Sequence, residues 1–267
     1  MAEAPAEAQA RAMAGVGGGS GAGVGAGDGW RRCLEGGEIM ANLVLSTFSG
    51  AGLLDRGFTR AGYCVVQTGD PIFGQEGLDN FHPPAGVFEG VIGGPPCKGE
   101  SKLAHLNGKA NTSMADLFRR IVKEAEPHWW LMEAVKKHEW APYVVCLSPR
   151  WMGKLQSRRR YFHSNLNLVP YIYDLTIFEP MEFKYAVLAG HGGKEGTVVR
   201  RMATYTWKEM CSLQGLPEGF DIPIATRQGK RELVGNGVPT MMAYAIAQAI
   251  RAVTCRSRPG DMKSFWP

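Results

Sequence analysis

The chain has 267 residues, 45% hydrophobic and 21% charged, with a formal net charge of +5. That mixture excludes a fibrous or wholly disordered polymer, no apolar run is long enough to span a bilayer, and the mild positive charge permits a polyanionic partner. The six cysteines (33, 64, 97, 146, 211 and 255) are widely spaced with no Cys-x-x-Cys pair, which argues against a zinc ribbon or a disulfide scaffold and for a reducing, cytoplasmic setting in which each thiol is by default a small buried hydrophobe.

Residues 1–38 begin Ala-rich and carry nine glycines within positions 15–29. Such a stretch has much entropy to lose and little apolar surface to offset it, so a flexible tail is expected. It has no basic start followed by an apolar core, so no secretory signal is read there. Met40 stands directly before the first strand-like run, 42–48 (NLVLSTF), and LLDRGFTRAG reads as the following helix. YCVVQTGD, GVFEGVIGG and HWWLMEAV read as three further strands. Between the last two, apolar residues at 114, 117, 118, 121 and 122 give a helix that Pro127 closes. Alternating strands and helices imply a parallel sheet with helices on both faces. YIYDLTIFEP and FKYAVLAG read as short strands before the loop HGGKEG, a small insert over 163–199. TMMAYAIAQAIRAV is a helix, and 257–267 a second tail, so the main domain comprises 39–162 and 200–256.

Several positions carry chemistry. Phe48-Ser49-Gly50-Ala51-Gly52 is a Gly-rich turn at the end of the first strand, where a ligand can approach the backbone; a tight turn alone would also want glycine. Asp70, about twenty residues on, either accepts from ribose hydroxyls or caps a turn before Pro71. Gly93-Gly94-Pro95-Pro96-Cys97 presents a thiol rigidly at the sheet edge, a candidate nucleophile. Glu133 interrupts an apolar strand, and desolvation there suits a general acid, the plainer alternative being a salt bridge to Lys136 or Lys137. Residues 150–160 hold five basic residues and no acid. Arg158 and Arg160, at alternate positions, would share one side of a strand and could anchor an anion or orient a base. Gly235-Asn236-Gly237-Val238-Pro239 precedes the last helix and either closes over a cofactor or makes a turn.

In this order the motifs resemble the DNA (cytosine-5) methyltransferase family over residues 42 to about 254. The resemblance implies a Rossmann-like S-adenosylmethionine-dependent methyltransferase sheet with helices on both faces, the 163–199 insert being a small target-recognition region. It places Phe48, Ser49, Gly50 and Gly52 at the methionine part of S-adenosylmethionine and Asp70 on its ribose, with Pro96, Asn236 and Val238 closing the pocket. Cys97 matches the family's nucleophile and Glu133-Ala134-Val135 its Glu-Asn-Val. Gln156-Ser157-Arg158-Arg159-Arg160 matches Gln-x-Arg-x-Arg, and the segment from Arg201 to Leu216 matches the buttress of the recognition region. The sequence departs from the pattern at Ala134 and in Lys98-Gly99-Glu100-Ser101 after the cysteine. The acid facing the adenine is ambiguous between Glu76 and Asp79.

The mechanism so implied has Cys97 adding to C6 of a flipped-out cytosine and Glu133 relieving charge at N3. Arg158 would hold the base carbonyl and orient Glu133, with Arg160 behind it. Double-stranded DNA is the implied partner, held partly by Arg227, Lys230 and Arg231, and the protein is expected to be a monomer without membrane contact. Three rivals stand: a tRNA cytosine-5 methyltransferase, a decayed relic that binds cofactor or DNA, and a nicotinamide-dependent dehydrogenase. The last wants G-x-G-x-x-G, which Phe48–Gly57 does not supply.

Overall fold

A computed structural model describes residues 42–68, 77–96, 114–172, 182–187 and 205–256. The first strand, β1 (Leu43–Thr47), is followed by α1 (Leu53–Arg60), β2 (Cys64–Gln67), β3 (Gly90–Gly93), α2 (Met114–Ala125) and β4 (Trp129–Ala134). Then come β5 (Tyr143–Leu147), β6 (Gln156–Ser157), β7 (Arg160–Ser164), the single turn α3 (Val169–Ile172) and β8 (Lys184–Tyr185). Helices α4 (Trp207–Leu213), α5 (Arg227–Asn236) and α6 (Thr240–Arg256) complete the order. None of the described helices is long and apolar enough to cross a membrane.

Six strands form one sheet in the order β2-β1-β3-β4-β7-β5, while β6 and β8 pair separately. β1 is parallel to β2 and β3, and β3 to β4, as the alternating pattern predicts. The sheet is not wholly parallel, however, because β7 runs antiparallel between β4 and β5. β5 follows β4 with no helix between them, outside the strand–helix alternation of the sequence. The insert boundary placed between 162 and 163 also falls inside β7, whose His163 and Ser164 pair with β4 and β5. Polarity at those positions suggests a surface, yet both are buried and fully bonded. The His163 ring bonds the Met132 carbonyl and accepts from the His138 N–H, while the Ser164 hydroxyl donates to the Trp130 carbonyl. Leu168 and Ile172 then join the main core, so Tyr171 and Ile172 of the expected strand YIYDLTIFEP are helical. Among the described residues of FKYAVLAG, Lys184–Tyr185 is strand, parallel to β6. Both tails and the HGGKEG loop lie outside the described residues.

Apolar clusters cover the two faces of the sheet. On one, Phe58 of α1 and Met242, Ile246 and Ile250 of α6 pack over Val44, Ile92, Leu131 and Phe162. On the other, Phe118 and Ile121 of α2 cover Leu45, Val91 and Met132. α2 ends at Ala125, two residues before Pro127, with Glu126 turned to φ 48°. Gly57 lets α1 and α6 approach closely, since a Cβ there would lie 2.3 Å from the Ala243 Cβ and 2.5 Å from the Tyr244 nitrogen. A third cluster joins Leu53, Val187, Met210, Leu216, Leu233 and Val234, tying α4 and α5 to the start of α1. The reading of all six cysteines as separate thiols fails at Cys64, which is disulfide-bonded.

Candidate active site at the carboxyl ends of the strands

The turn after β1 has left-handed backbone at Phe48 (φ 53°), Gly50 (φ 53°) and Gly52 (φ 68°). A non-glycine residue with positive φ is uncommon and found often at functional turns. A Cβ at Gly50 would stand 3.9 Å from the Leu233 side chain, an ordinary van der Waals separation. Beneath the turn is a carboxyl group to which sequence reasoning gave no role. Asp55, in the first turn of α1, accepts from the Ser46 hydroxyl and the Gln67 amide, both at 2.5 Å. Its signal was an acid inside the apolar stretch Leu53-Leu54-Asp55. Burial pushes its pKa up, against the pull of Ser46, Gln67 and Ser49. Gly237, in the turn after α5, abuts this region: a Cβ there would lie 2.7 Å from the Leu53 side chain. Val238 is buried in the main core, whereas Asn236 is exposed.

β3 ends at Gly93, and Gly94-Pro95-Pro96 leads out to an exposed Pro96. On the neighbouring strand Glu133 is only 7% exposed, and a Cβ on Gly94 would stand 3.2 Å from its Oε2. Because β7 is antiparallel to β4, with Ala134 opposite Tyr161, Arg160 arrives at the same edge. Its Nε lies 2.8 Å from Glu133 Oε1. Glu133 therefore pairs with Arg160, not with Lys136 or Lys137. Burial raises the Glu133 pKa, and the two arginines, Arg160 first, oppose that shift.

Arg160, rather than Arg158, is the arginine paired with Glu133. β6 ends at Ser157 and β7 begins at Arg160, so Arg158 sits in the link and the two do not share one strand face. Arg158, 2% exposed, donates to the carbonyls of Val187 (2.7 Å), Gly235 (2.8 Å) and Asn236 (3.4 Å). Burial, then the neighbouring Arg160, draws its pKa down to about 9, so it stays charged at neutral pH. Its guanidinium thereby ties the link between β6 and β7 to main chain at Val187 and at the end of α5. Gln156 and Gln214 complete this hub. Gln156 donates to the Leu213 carbonyl and accepts from the Val187 N–H, while Gln214 donates to the carbonyls of Val234 and Gly237. Buried amides so satisfied fix the relative placement of the segments they join.

The structure thus brings together Gly94, Pro95, Pro96, Glu133, Arg158 and Arg160, with the Phe48–Gly52 turn at the end of β1, next to β3 and two strands from β4. Asp79 is exposed on a short 3₁₀ turn, Leu78–Asn80. Asp70, Glu76 and Cys97 lie outside the described residues, and Cys97 directly follows the exposed Pro96.

No protein-family model matches the chain. A Type II methyltransferase, M.FnuDI of Fusobacterium nucleatum, is 32% identical over 111 residues, covering 35% of this chain and 32% of the relative. The chain thus matches about a third of that relative's length. The crystal structure of the Dnmt2 methyltransferase of S. pombe superimposes with a TM-score of 0.58 at 12% identity, covering 80% of this chain and 99% of that one. A protein encoded within an E. coli prophage and named as a DNA modification methyltransferase gives a TM-score of 0.55 at 16% identity, with 80% and 100% covered. In its fold, a mixed sheet flanked by helices, this chain matches these methyltransferase structures, and in the order of its motifs it resembles the cytosine-5 methyltransferases.

Proposed function

We propose that the protein transfers a methyl group from S-adenosylmethionine to C5 of cytosine in DNA. The observation that carries this reading is the buried Glu133 carboxyl, paired with Arg160 and set against Gly94 at the head of the Pro-Pro-Cys turn. The residues present fit the cofactor. The left-handed turn at Phe48, Gly50 and Gly52 presents main chain at the carboxyl end of β1, Ser49 lies within it, and Asp70 would supply a carboxylate for the ribose. When bound, S-adenosylmethionine supplies an electrophilic methyl group on a sulfonium.

Cytosine C5 is too weak a nucleophile to accept that methyl group unaided. Cys97, deprotonated, adds through Sγ to C6 and places an electron pair toward C5 and N3. Glu133 holds or delivers a proton at N3, relieving the charge that this addition creates. Its raised pKa favours the protonated form this role needs. Arg160 fixes the Glu133 carboxyl and offers its remaining N–H groups toward the base carbonyl, while Arg158 secures the link from behind. Loss of the C5 proton and elimination of the thiolate restore Cys97. The base must leave the duplex for this chemistry, at roughly a few kcal/mol. The exposed Lys154 and Arg159 and the excess positive charge suit a phosphate backbone.

The test replaces the C5 hydrogen with fluorine, which cannot depart as a cation. Mixed-sequence duplex containing 5-fluorocytosine, incubated with the protein and S-adenosylmethionine, should give a denaturant-resistant protein–DNA band. The band should vanish in Cys97→Ala and persist in Cys146→Ala and Cys211→Ala. Methyl transfer by Cys97→Ala would overturn the mechanism.

A further inference from the structure

A cavity of about 620 Å³ lies between the start of α4 and the amino-terminal half of α5. Arg227, Lys230 and Arg231 project into it from one face of α5, at the i, i+3 and i+4 positions. Among the described residues of its lining Asp221 is the one carboxylate against three cations, an excess of two positive charges. Tyr205 and Trp207 form an aromatic wall. That wall is rigid: the Trp207 indole donates to the Phe220 carbonyl at 3.0 Å and stacks on the Phe220 ring. Two of the cations are held in place, Arg231 by the Tyr205 carbonyl at 2.9 Å and Lys230 by Asp221 at 2.6 Å. Arg227 is exposed and has no hydrogen bond or ion pair among the described residues.

A fixed fork of guanidinium and ammonium groups beside an aromatic wall matches a phosphoryl group attached to a sugar or base. We propose that this cavity binds a phosphodiester of the substrate strand, at a distance from the nucleotide that enters the reaction site. The inference rests on the methyltransferase reading above and adds a second anchor to it. α5 links the two places: its carboxyl end, Gly235 and Asn236, is held by Arg158, whose charge also acts on Glu133. Its ten residues rise by roughly 14 Å, on the order of four nucleotide steps along one strand at 3.4 Å each. A single strand can therefore engage both ends of the helix.

The experiment measures binding of the full chain to a labelled duplex as a function of salt. Each phosphate contact contributes about 0.9 to the slope of log K against log salt. Arg227→Gln combined with Lys230→Gln removes the contact to that one phosphodiester and should lower the slope by roughly 1, weakening binding about tenfold at 0.1 M salt. Affinity for S-adenosylmethionine should be unchanged. An unaltered slope, or a wild type that binds no duplex, overturns the inference. Inorganic pyrophosphate, titrated calorimetrically, separates a strand contact from a pocket for a free phosphate compound. If it binds more tightly than duplex and is lost in the same variant, the strand assignment is overturned. Methyl transfer assayed on the same preparations keeps the two proposals apart. The expected slope change without transfer sinks only the proposed function, and transfer with an unaltered slope sinks only the cavity.

Discussion

Glu133 sits where two opposed effects meet: burial drives its carboxyl toward the protonated form while Arg160 and Arg158 favour the anion. If protonated Glu133 serves N3, methyl transfer should fall as pH rises through its raised pKa. Glu133→Gln keeps a hydrogen-bond donor but has no proton to give. It should lower kcat by roughly 10²–10⁴ and remove that alkaline fall while leaving cofactor affinity intact, as measured by single-turnover kinetics and calorimetry. An unchanged pH profile would show that another group carries the proton. His163 shows a purely structural titration. Burial pulls its pKa down to about 4 from 6.5, so the folded state holds it neutral while the unfolded chain takes up a proton between those values. Its share of stability is therefore present above pH 6.5 and lost as pH falls toward 4. His163→Gln retains an acceptor and a donor in that position, and denaturant titrations at pH 7 and pH 5 should show a smaller acid loss than in the parent.

At the scale of elements, the contact of α1 with α6 depends on the absence of one side chain. Gly57→Ala gains about 1 kcal/mol in helix propensity but forces the two backbones apart, since the new Cβ would lie 2.5 Å from the Tyr244 nitrogen. Overpacking of this kind costs about 1–3 kcal/mol, so net destabilisation in urea is expected. Adding Ala243→Gly should restore only part of the loss, because the main-chain clash remains. Full restoration would show that the methyl–methyl contact was the whole effect. β7 makes the same point for the site. Its antiparallel register, not its composition, delivers Arg160 to Glu133.

For the molecule as a whole, the turn after β1 and the Gly237 turn after α5 meet at Leu53, so a cofactor bound there couples distant parts of the chain. S-adenosylmethionine at a hundredfold excess over its Kd should stabilise the fold by about 2.7 kcal/mol, a rise in Tm of roughly 5–10 °C for a domain of this size. Asp70→Ala should reduce the shift measured at the same concentration, and an equal shift would remove Asp70 from the pocket.

The sequence alone determined what rests on local pattern and residue chemistry. Period-two and period-3.6 hydrophobicity marked β1 to β4, α2 and α6, and Gly50, Gly52, Pro95 and Pro96 marked the turns at the strand ends. The roles of Arg158 and Arg160 were not legible in this way. Both are basic and two positions apart, and only the break between β6 and β7 sends one to three main-chain carbonyls and the other to Glu133. Asp55, Gln156 and Gln214 likewise gain their meaning from partners 9 to 58 residues away. Burial in a low-dielectric interior makes each of those polar groups seek a specific partner, and which partner is in reach is set by the packing of sheet and helices rather than by neighbours in the chain.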